Sequence, residues 1–230
     1  MDIFRQLFDS ESHTYTYLLA DSLSRQAVLI DPVLELLDRD LTLIQQLDLV
    51  LSYVLETHAH ADHVTSAGEL RSRTNAVTVA SSASGVSCAD QKVVDQQTLH
   101  VGNINILVLS TPGHTNGCVS YYVGNRVFTG DALCIRSAGR TDFQGGSPSV
   151  LYHSIREKLY RLPDETLVYP AHDYQGMTVS TIGEEKRFNR RINATTTESE
   201  FVNLMNSLNL PEPKKIMTAL PANLNCGKVG

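Results

Sequence analysis

The chain has 230 residues, of which 42% are hydrophobic and 19% are charged, a composition typical of a globular protein that can build one sizeable core. The net charge of −6 at pH 7 argues against nucleic acid as a partner. No apolar run is long enough to cross a bilayer, and the first residues show neither a basic leader nor a cleavage signal. We therefore expect a cytoplasmic protein that does not enter membranes.

The four cysteines are widely spaced and form no Cys-x-x-Cys pair. This pattern indicates neither a zinc site nor a disulfide framework, and it agrees with a reducing compartment. We expect each cysteine to behave as a small buried hydrophobe. Cys226 is the exception, because it lies in a polar segment that could expose it.

The first half of the chain alternates predicted strands with predicted helices. Short runs rich in β-branched and aromatic residues predict five strands, at residues 3–8, 14–20, 26–31, 49–55 and 76–80. Leucine and isoleucine recur at mostly helical spacing after the third strand, which predicts an amphipathic helix over residues 33–47. A serine-rich loop follows the fifth strand.

The fourth predicted strand leads directly into the motif Thr-His-Ala-His-Ala-Asp-His at residues 57–63. In an extended segment His58 and His60 point to the same side, because side chains alternate with a period of two, so one metal could bind both. Asp62 is a candidate N-cap for a helix over residues 64–71. The motif therefore predicts a metal site on a tight loop between a strand and a helix.

The second half contains two predicted hairpins, then a helix and a last strand. The hairpins pair residues 98–101 with 104–109 and residues 119–123 with 126–129, each across a Gly-Asn turn. After an irregular segment at 132–147, a helix is predicted over 148–162 and a strand over 166–169, followed by helices over 183–192 and 198–208 and a proline-rich tail. We expect one domain over residues 1–230, with a core over about 1–175 and a C-terminal helical extension over 176–230.

Several of these predicted strands are followed by a residue that can bind a metal. These residues are His58, His60, Asp62 and His63, then His114, then Asp131, and finally His172. A chance scatter of such residues would not repeatedly follow apolar runs, so we predict one metal centre built from distant parts of the chain. The remaining histidines, His13, His100 and His153, lack this context, and we expect no function for them.

The sequence around these residues resembles the metallo-β-lactamase superfamily. The motif at 57–63 is followed by Thr-Pro-Gly-His-Thr, Thr-Gly-Asp and Pro-Ala-His-Asp-Tyr. The resemblance implies an α/β fold, a four-layer αββα sandwich with its metal site at the edge of two facing sheets. Within the superfamily the chain is most similar to the persulfide dioxygenases, through residues 14–21, 139–144, 172–174, 178–181 and 221–223.

The closer resemblance implies one Fe(II) per chain, bound by His58, His114 and Asp131. Two imidazoles and one carboxylate leave open positions on iron for oxygen and substrate. His60, Asp62, His63 and His172 would then orient these ligands through hydrogen bonds. The implied reaction converts glutathione persulfide, O2 and water to sulfite and glutathione.

The resemblance also implies substrate contacts at Arg140, Tyr174 and Arg191, because an arginine can bind a glutathione carboxylate through two hydrogen bonds. Arg191 could equally lie on a solvated helix face. The family usually has Asn-Pro-Arg where this chain has Asn-Arg-Arg at 189–191. Loss of the proline could extend the helix and redirect Arg191, in which case Arg190 could replace it. The resemblance further suggests a homodimer.

Two other functions remain open at this point. The same ligands, with Asp131 bridging, would serve a dizinc thioester hydrolase similar to glyoxalase II that acts on S-acylglutathione. The short stretch after His172 favours the dioxygenase, because glyoxalase II normally has a longer C-terminal substrate domain. A metal-stabilised sensor without turnover is less favoured, because seven candidate ligands exceed what a closed tetrahedral site needs.

Overall fold

The computed structural model describes residues 3–213 and 215–228, and within them the chain forms two six-stranded β-sheets. The first sheet contains, in spatial order, β1 (Ile3–Phe8), β2 (Tyr15–Ala20), β3 (Gln26–Ile30), β4 (Val50–Leu55), β5 (Val77–Ser81) and β6 (Gln91–Val93). The β1–β2 and β2–β3 pairs are antiparallel, and the remaining pairs are parallel.

The second sheet brings three of the predicted site segments to one edge. Its strands are β7 (Thr98–Val101), β8 (Ile104–Ser110), β9 (Val119–Val123), β10 (Arg126–Gly130), β11 (Leu167–Pro170) and β12 (Ser180–Thr181), in the spatial order β12-β11-β10-β9-β8-β7. β8 and β10 are each antiparallel to β9, and β11 is parallel to β10. The ends of β8, β10 and β11 therefore meet at the same edge, and His114, Asp131 and His172 follow these ends.

Helices cover the outer face of each sheet. The described helices are α1 (Leu37–Gln46), α2 (Ala67–Thr74), α3 (Pro148–Glu157), α4 (Ile182–Phe188), α5 (Glu198–Ser207) and α6 (Ile216–Leu224), with 3-10 turns at Leu34–Leu36 and Leu159–Arg161; α6 packs in smaller clusters apart from both sheets' outer cores. α1 and α2 pack on the first sheet through residues such as Ile44 and Leu70. α3 and α5 pack on the second sheet through residues such as Leu151 and Phe201. The predicted four-layer αββα sandwich is confirmed.

The sequence of strand β2 is largely apolar on both faces because both faces are covered. All six of its residues are buried. Tyr17 and Leu19 contribute to the core between the two sheets, whereas Leu18 and Ala20 face the core beneath α1 and α2. A strand covered on both sides gains from apolar residues at every position, so it loses the alternating pattern of a strand with one solvated face.

The predicted helix boundaries differ from the structure at two places that matter for the site. Helix α2 begins at Ala67 with Ser66 at its N-cap, so the prediction that Asp62 caps a helix over residues 64–71 is wrong. The Asp62 carboxylate instead accepts hydrogen bonds from histidine rings. Helix α4 ends at Phe188, because Asn189 has an extended backbone, so the Asn-Arg-Arg sequence does not lengthen this helix.

Three elements were absent from the prediction. β6 lies within the expected serine-rich loop, β12 is only two residues long, and α6 occupies the expected proline-rich tail with Pro221 inside it. None of these three segments has a long run of regularly spaced apolar residues that would predict its structure. Each is held in place by residues that are distant in sequence. Among the described residues, none of these or the other helices is both long and apolar enough to cross a membrane.

The expectation that all four cysteines are unpaired is wrong. Cys88 and Cys226 form a disulfide between residues 138 positions apart, with their Cα atoms 5.9 Å from each other. Cys226 is buried rather than exposed. The other two cysteines, Cys118 and Cys134, are free. Spacing along the chain could not predict the pair, because the fold alone brings α6 beside the loop that carries Cys88.

We predict that Tyr17→Phe lowers the free energy of unfolding by about 1–2 kcal/mol, because it leaves a buried carbonyl without its donor. The Tyr17 hydroxyl donates a buried hydrogen bond of 2.5 Å to the carbonyl of Pro170, which joins β2 to β11 across the two sheets. Urea unfolding of the two proteins measures the difference. Tyr122→Phe is the matched control, since the Tyr122 hydroxyl has no hydrogen-bond partner within the described residues, and a similar loss in both variants would contradict this role.

Candidate active site

The candidate ligands meet at the edge where the parallel strands end. The loop after β4 contributes His58, His60, Asp62 and His63, whereas single residues follow β8, β10 and β11. Within the described residues their ligand atoms form two neighbouring clusters. One contains His58, His114 and Asp131, and the other contains His60, Asp62, His63 and His172.

In the first cluster two imidazole nitrogens face one carboxylate oxygen. The Oδ2 atom of Asp131 lies 3.9 Å from Nε2 of His58 and 3.6 Å from Nε2 of His114. The opposite ring nitrogens have partners, since Nδ1 of His114 donates to the carbonyl of Arg140 at 2.6 Å and Nδ1 of His58 lies 3.0 Å from the hydroxyl of Thr57. Such bonds leave both Nε2 atoms available to a metal, so the cluster fits a two-histidine, one-carboxylate site.

Hydrogen bonds join three of the four residues in the second cluster, namely Asp62, His63 and His172. His172 contacts a carboxylate on each side, with Nε2 at 2.9 Å from Asp62 and Nδ1 at 2.7 Å from Oδ1 of Asp131. The same Asp62 oxygen lies 3.2 Å from Nδ1 of His63. Thr14 adds its hydroxyl at 3.1 Å from His172. The two clusters are therefore joined through the single residue Asp131.

Charge separates the histidines into different protonation states. Burial alone would lower the pKa of His172, but the adjacent Asp131 and Asp62 carboxylates outweigh burial and hold this pKa well above its usual value. Burial, with the neighbouring imidazoles of His60 and His114, holds the pKa of His58 well below its usual value. These shifts favour the neutral form of His58, which is the form that binds a metal, and the doubly protonated form of His172 between its two carboxylates.

His60 faces a third, fully buried group behind the loop. Its Nε2 lies 3.2 Å from Asp31 and 3.9 Å from Glu56. Its ring is only 4.0 Å from that of His58, measured between centroids, yet the two side chains fall into different clusters of ligand atoms. This grouping does not support the expectation that one metal could bind both, which stays a prediction. Both ring nitrogens of His60 and Nε2 of His63 lack hydrogen bonds within the described residues.

Asp31 fixes the start of the loop. Its carboxylate accepts hydrogen bonds of 2.7 Å from both the backbone N–H and the hydroxyl of Thr57. Because that hydroxyl donates to Asp31, it is left to accept from Nδ1 of His58. This chain of bonds orients the His58 ring from behind. Sequence reasoning placed Asp31 only at the end of a strand and missed this contact.

A cavity of about 770 Å³ opens beside the first cluster. His58, His114, Asp131 and His172 line its floor, and all three predicted substrate contacts, Arg140, Tyr174 and Arg191, line its walls. Arg190 is absent from these walls and is exposed on a neighbouring groove. The structure thus brings together every predicted site residue except Arg190, which was the expected replacement for Arg191.

The two wall arginines have different surroundings. The Arg140 guanidinium pairs with both oxygens of Asp142 at 2.7 and 2.8 Å and donates to the carbonyls of Leu210 and Pro211. Arg140 thus fastens the tail to the cavity wall. Arg191 donates to the carbonyl of Ala138 and forms no ion pair with a described carboxylate. Of the two, Arg191 has the free capacity to bind an anion.

Some residues on the cavity wall were missed. His13 lines the cavity and packs 5.1 Å from the Tyr174 ring, so it lies beside the site, and the expectation that it has no function stays a prediction. Lys215 reaches the same wall from the start of α6. Neither follows a strand, so no sequence signal singled them out. His100 and His153 do lie on the surface, with Asn105 and Glu157 as partners.

The family model described as "Metallo-beta-lactamase superfamily" matches residues 10–172, more than half of the chain. The chain belongs to the metallo-β-lactamase superfamily. "Persulfide dioxygenase ETHE1, mitochondrial" of Bos taurus is 49% identical over 228 residues, which cover 98% of this chain and 89% of that protein. The predicted resemblance of this superfamily member to the persulfide dioxygenases is thereby confirmed.

Two solved structures of the superfamily extend the comparison. The crystal structure of ETHE1 from Myxococcus xanthus matches with a TM-score of 0.96 and 57% identity, covering 98% of this chain and 100% of that one. The crystal structure of TTHA1623 in a di-iron-bound form matches with a TM-score of 0.71 and 27% identity, covering 82% of this chain and 100% of that one. In that relative of the superfamily the fold binds iron.

We predict that Gly139→Ala weakens metal binding about tenfold or more, the size of effect seen when residues behind metal ligands change. A Cβ atom at this position would lie 2.2 Å from the carbonyl oxygen of Asp131 and 3.0 Å from Nδ1 of His114. Two candidate ligands would therefore have to move. Titration of the metal-free protein with Fe(II) under nitrogen measures the change.

Gly124→Ala is the control for backbone strain. Gly124 has a φ of 59° with nothing near its added Cβ, so this variant should lose some stability and keep its metal affinity. Equal metal affinity in the Gly139→Ala variant and the unsubstituted protein would show that the close approach does not matter.

Proposed function

We propose that this protein is a persulfide dioxygenase, which converts glutathione persulfide, O2 and water to glutathione and sulfite. The observation that carries the proposal is the group of two histidines and one carboxylate facing the 770 Å³ cavity, in a chain 49% identical to a protein named persulfide dioxygenase. The reaction balances as one persulfide, one O2 and one water giving one thiol and one sulfurous acid, which ionises to sulfite.

The residues of the first cluster fit one Fe(II) per chain. A site with two imidazoles and one carboxylate is the usual ligand set of non-haem Fe(II) enzymes that react with oxygen. His58, His114 and Asp131 would hold the ion. The relative TTHA1623, which was solved in a di-iron-bound form, supports iron as the metal but not the number of ions. Bound iron would supply open positions at which oxygen and the terminal sulfur of the substrate come together.

The hydrogen bonds of the second cluster give its residues a role in a site with a single ion, which is the number that the family resemblance implies. Both ring nitrogens of His172 are hydrogen-bonded to carboxylates, and Asp62 is shared between His172 and His63. Both ring nitrogens of His60 and Nε2 of His63 make no such hydrogen bonds within the described residues, so these bonds do not exclude a second ion. In our proposal the bonds of His172 fix Asp131, whose Oδ1 accepts from His172 while Oδ2 remains directed toward His58 and His114.

Substrate binding is proposed to depend on Arg191 more than on Arg140. Glutathione carries two carboxylates, and an arginine without an acidic partner can bind one through two hydrogen bonds. Arg191 meets this condition on the cavity wall, whereas Arg140 is paired with Asp142. Tyr174 stacks parallel to the ring of His172 and is 71% exposed, so it can contact a bound peptide from the cavity rim.

The alternative function is a dizinc thioester hydrolase acting on S-acylglutathione. All seven ligands that such an enzyme needs lie within the two clusters, so the ligand set alone does not decide against it. The named relatives with the highest identity support the dioxygenase instead.

All candidate ligands come from one chain, so the proposed homodimer, which rests on the family resemblance, is not needed to complete the site.

Anaerobically purified protein should contain about one iron per chain and take up oxygen when glutathione persulfide is added. Asp131→Ala should lose both iron and activity, because it removes a ligand and the partner of His172. His60→Ala should keep most of its iron, because His60 faces Asp31 and not the first cluster. Metal analysis and an oxygen electrode measure these outcomes. Two zinc ions with hydrolysis of lactoylglutathione, or complete metal loss in His60→Ala, would contradict the proposal.

Arg191→Met should raise the KM for glutathione persulfide about 10- to 100-fold, the equivalent of a lost charge-assisted hydrogen-bonded pair, and change kcat only slightly. Arg190→Met is the matched control, since Arg190 is exposed outside the cavity and its loss should leave KM unchanged. Steady-state oxygen uptake at varied persulfide concentration gives both constants. A large effect in Arg190→Met with none in Arg191→Met would reverse this assignment.

A further inference from the structure

The loop that carries three of the histidines is braced from behind by one side chain of α6. The amide nitrogen of Asn223 donates to the backbone carbonyls of His60 and His63, each at 2.8 Å. Its amide oxygen accepts from the backbone N–H of Thr65 at 2.9 Å. Asn223 is buried, so water does not compete for these bonds, and three backbone groups of the loop depend on this one residue.

Helix α6 has few other strong attachments. Ala219 and Ala222 pack in a small cluster with Val64, and Leu220 and Leu224 lie in a second small cluster, both separate from the three large cores. At the start of the helix Lys215 pairs with Glu11 and Glu35 at 2.8 and 3.1 Å. These ion pairs are largely exposed, and such pairs contribute little to stability in water.

The disulfide secures the other end of α6. Cys226 lies three residues after Asn223, and its carbonyl accepts a hydrogen bond of 3.0 Å from the backbone N–H of Gly68 in α2. Its sulfur is bonded to Cys88, in the loop between β5 and β6. The Ser87 backbone also donates to the carbonyl of Leu224 at 3.1 Å. The covalent bond therefore holds together a contact that is otherwise made by a few hydrogen bonds and small side chains.

The two sulfur atoms differ in their exposure to small thiols. Cys88 is partly exposed, whereas Cys226 is buried. An attacking thiolate reaches a disulfide at its more accessible sulfur. The thiolate RS⁻ would bond to Sγ of Cys88, the S–S bond would break, and its electron pair would leave on Sγ of Cys226, which then takes up a proton. A second thiol would release Cys88 as a thiol and form RSSR, so two thiols are oxidised while one protein disulfide is reduced.

We propose that Cys88–Cys226 is a thiol-responsive lock, which holds Asn223 against the loop over residues 57–66 when oxidised and lets α6 separate from this loop when a low-molecular-weight thiol reduces it. The lock is distinct from the proposed reaction, because its effect is on the order of the loop and not on the chemistry at the first cluster. Reduction should leave the large cores intact, since the disulfide contacts none of them.

Hydrogen exchange measured by mass spectrometry on the metal-loaded protein tests this proposal. The oxidised protein is compared with protein reduced by glutathione. We expect exchange in peptides that cover residues 57–66 and 216–226 to become about tenfold faster on reduction, with α1 and α3 unchanged, because local opening is confined to the unit that the bond secures. Reoxidation should restore the slow exchange rate. Release of the metal to a chelator should likewise be faster from the reduced protein than from the oxidised or reoxidised protein.

Variants distinguish the effect of the Cys88–Cys226 disulfide from that of the Asn223 hydrogen bonds. Cys88→Ser should show the fast exchange without glutathione and no further response to it. Asn223→Ala should accelerate exchange at residues 57–66 while its disulfide remains intact. Ser82→Ala, at an exposed position of the same loop, should behave as the unsubstituted protein. Unchanged exchange at 57–66 after reduction, or an equal increase in every peptide including α1 and α3, would overturn the proposal, whether or not the protein oxidises persulfide.

Discussion

The contact on which the site depends is the position of His172 between two carboxylates. Its ring nitrogens lie 2.9 Å from Asp62 and 2.7 Å from Asp131, so one imidazole joins the loops that follow β4, β10 and β11. A protonated ring between two half-buried carboxylates satisfies charges that would otherwise be costly to remove from water. The consequence for function is geometric, because one oxygen of Asp131 is occupied and the other is left to face His58 and His114.

The two sheets supply the frame that makes this contact possible. Parallel pairing of β10 with β11, and of β3 with β4, brings strand ends to one edge of each sheet. The core between the sheets is rich in aromatic rings, among them Tyr17, Tyr121 and Phe128, and the Tyr17 hydroxyl reaches across to the last residue of β11. The position of His172 is thus set by packing far below the site as well as by its own hydrogen bonds.

Much of this arrangement could be predicted from the sequence, because it depends on patterns within short segments of the chain. Most strands and helices have their own periodicity, and each candidate ligand follows an apolar run or a Gly-containing turn. Contacts between distant residues could not be predicted in this way. The αββα stacking itself came from the family resemblance, and neither the Cys88–Cys226 pair nor the brace formed by Asn223 leaves a pattern in the spacing. Asp62 shows the same limit, since its position before a helix suggested a cap and its actual partners are His63 and His172.

The central claim is that one ion lies among His58, His114 and Asp131 while Asp62, His63 and His172 of the neighbouring cluster remain hydrogen-bonded to one another. Anomalous X-ray diffraction at the iron edge, on crystals of anaerobically purified protein, tests it most directly. We predict one iron peak per chain, among these three residues, with His172 still bonded to Asp62. A second peak of similar height among Asp62, His63 and His172, or peaks at the zinc edge in both clusters, would contradict the claim.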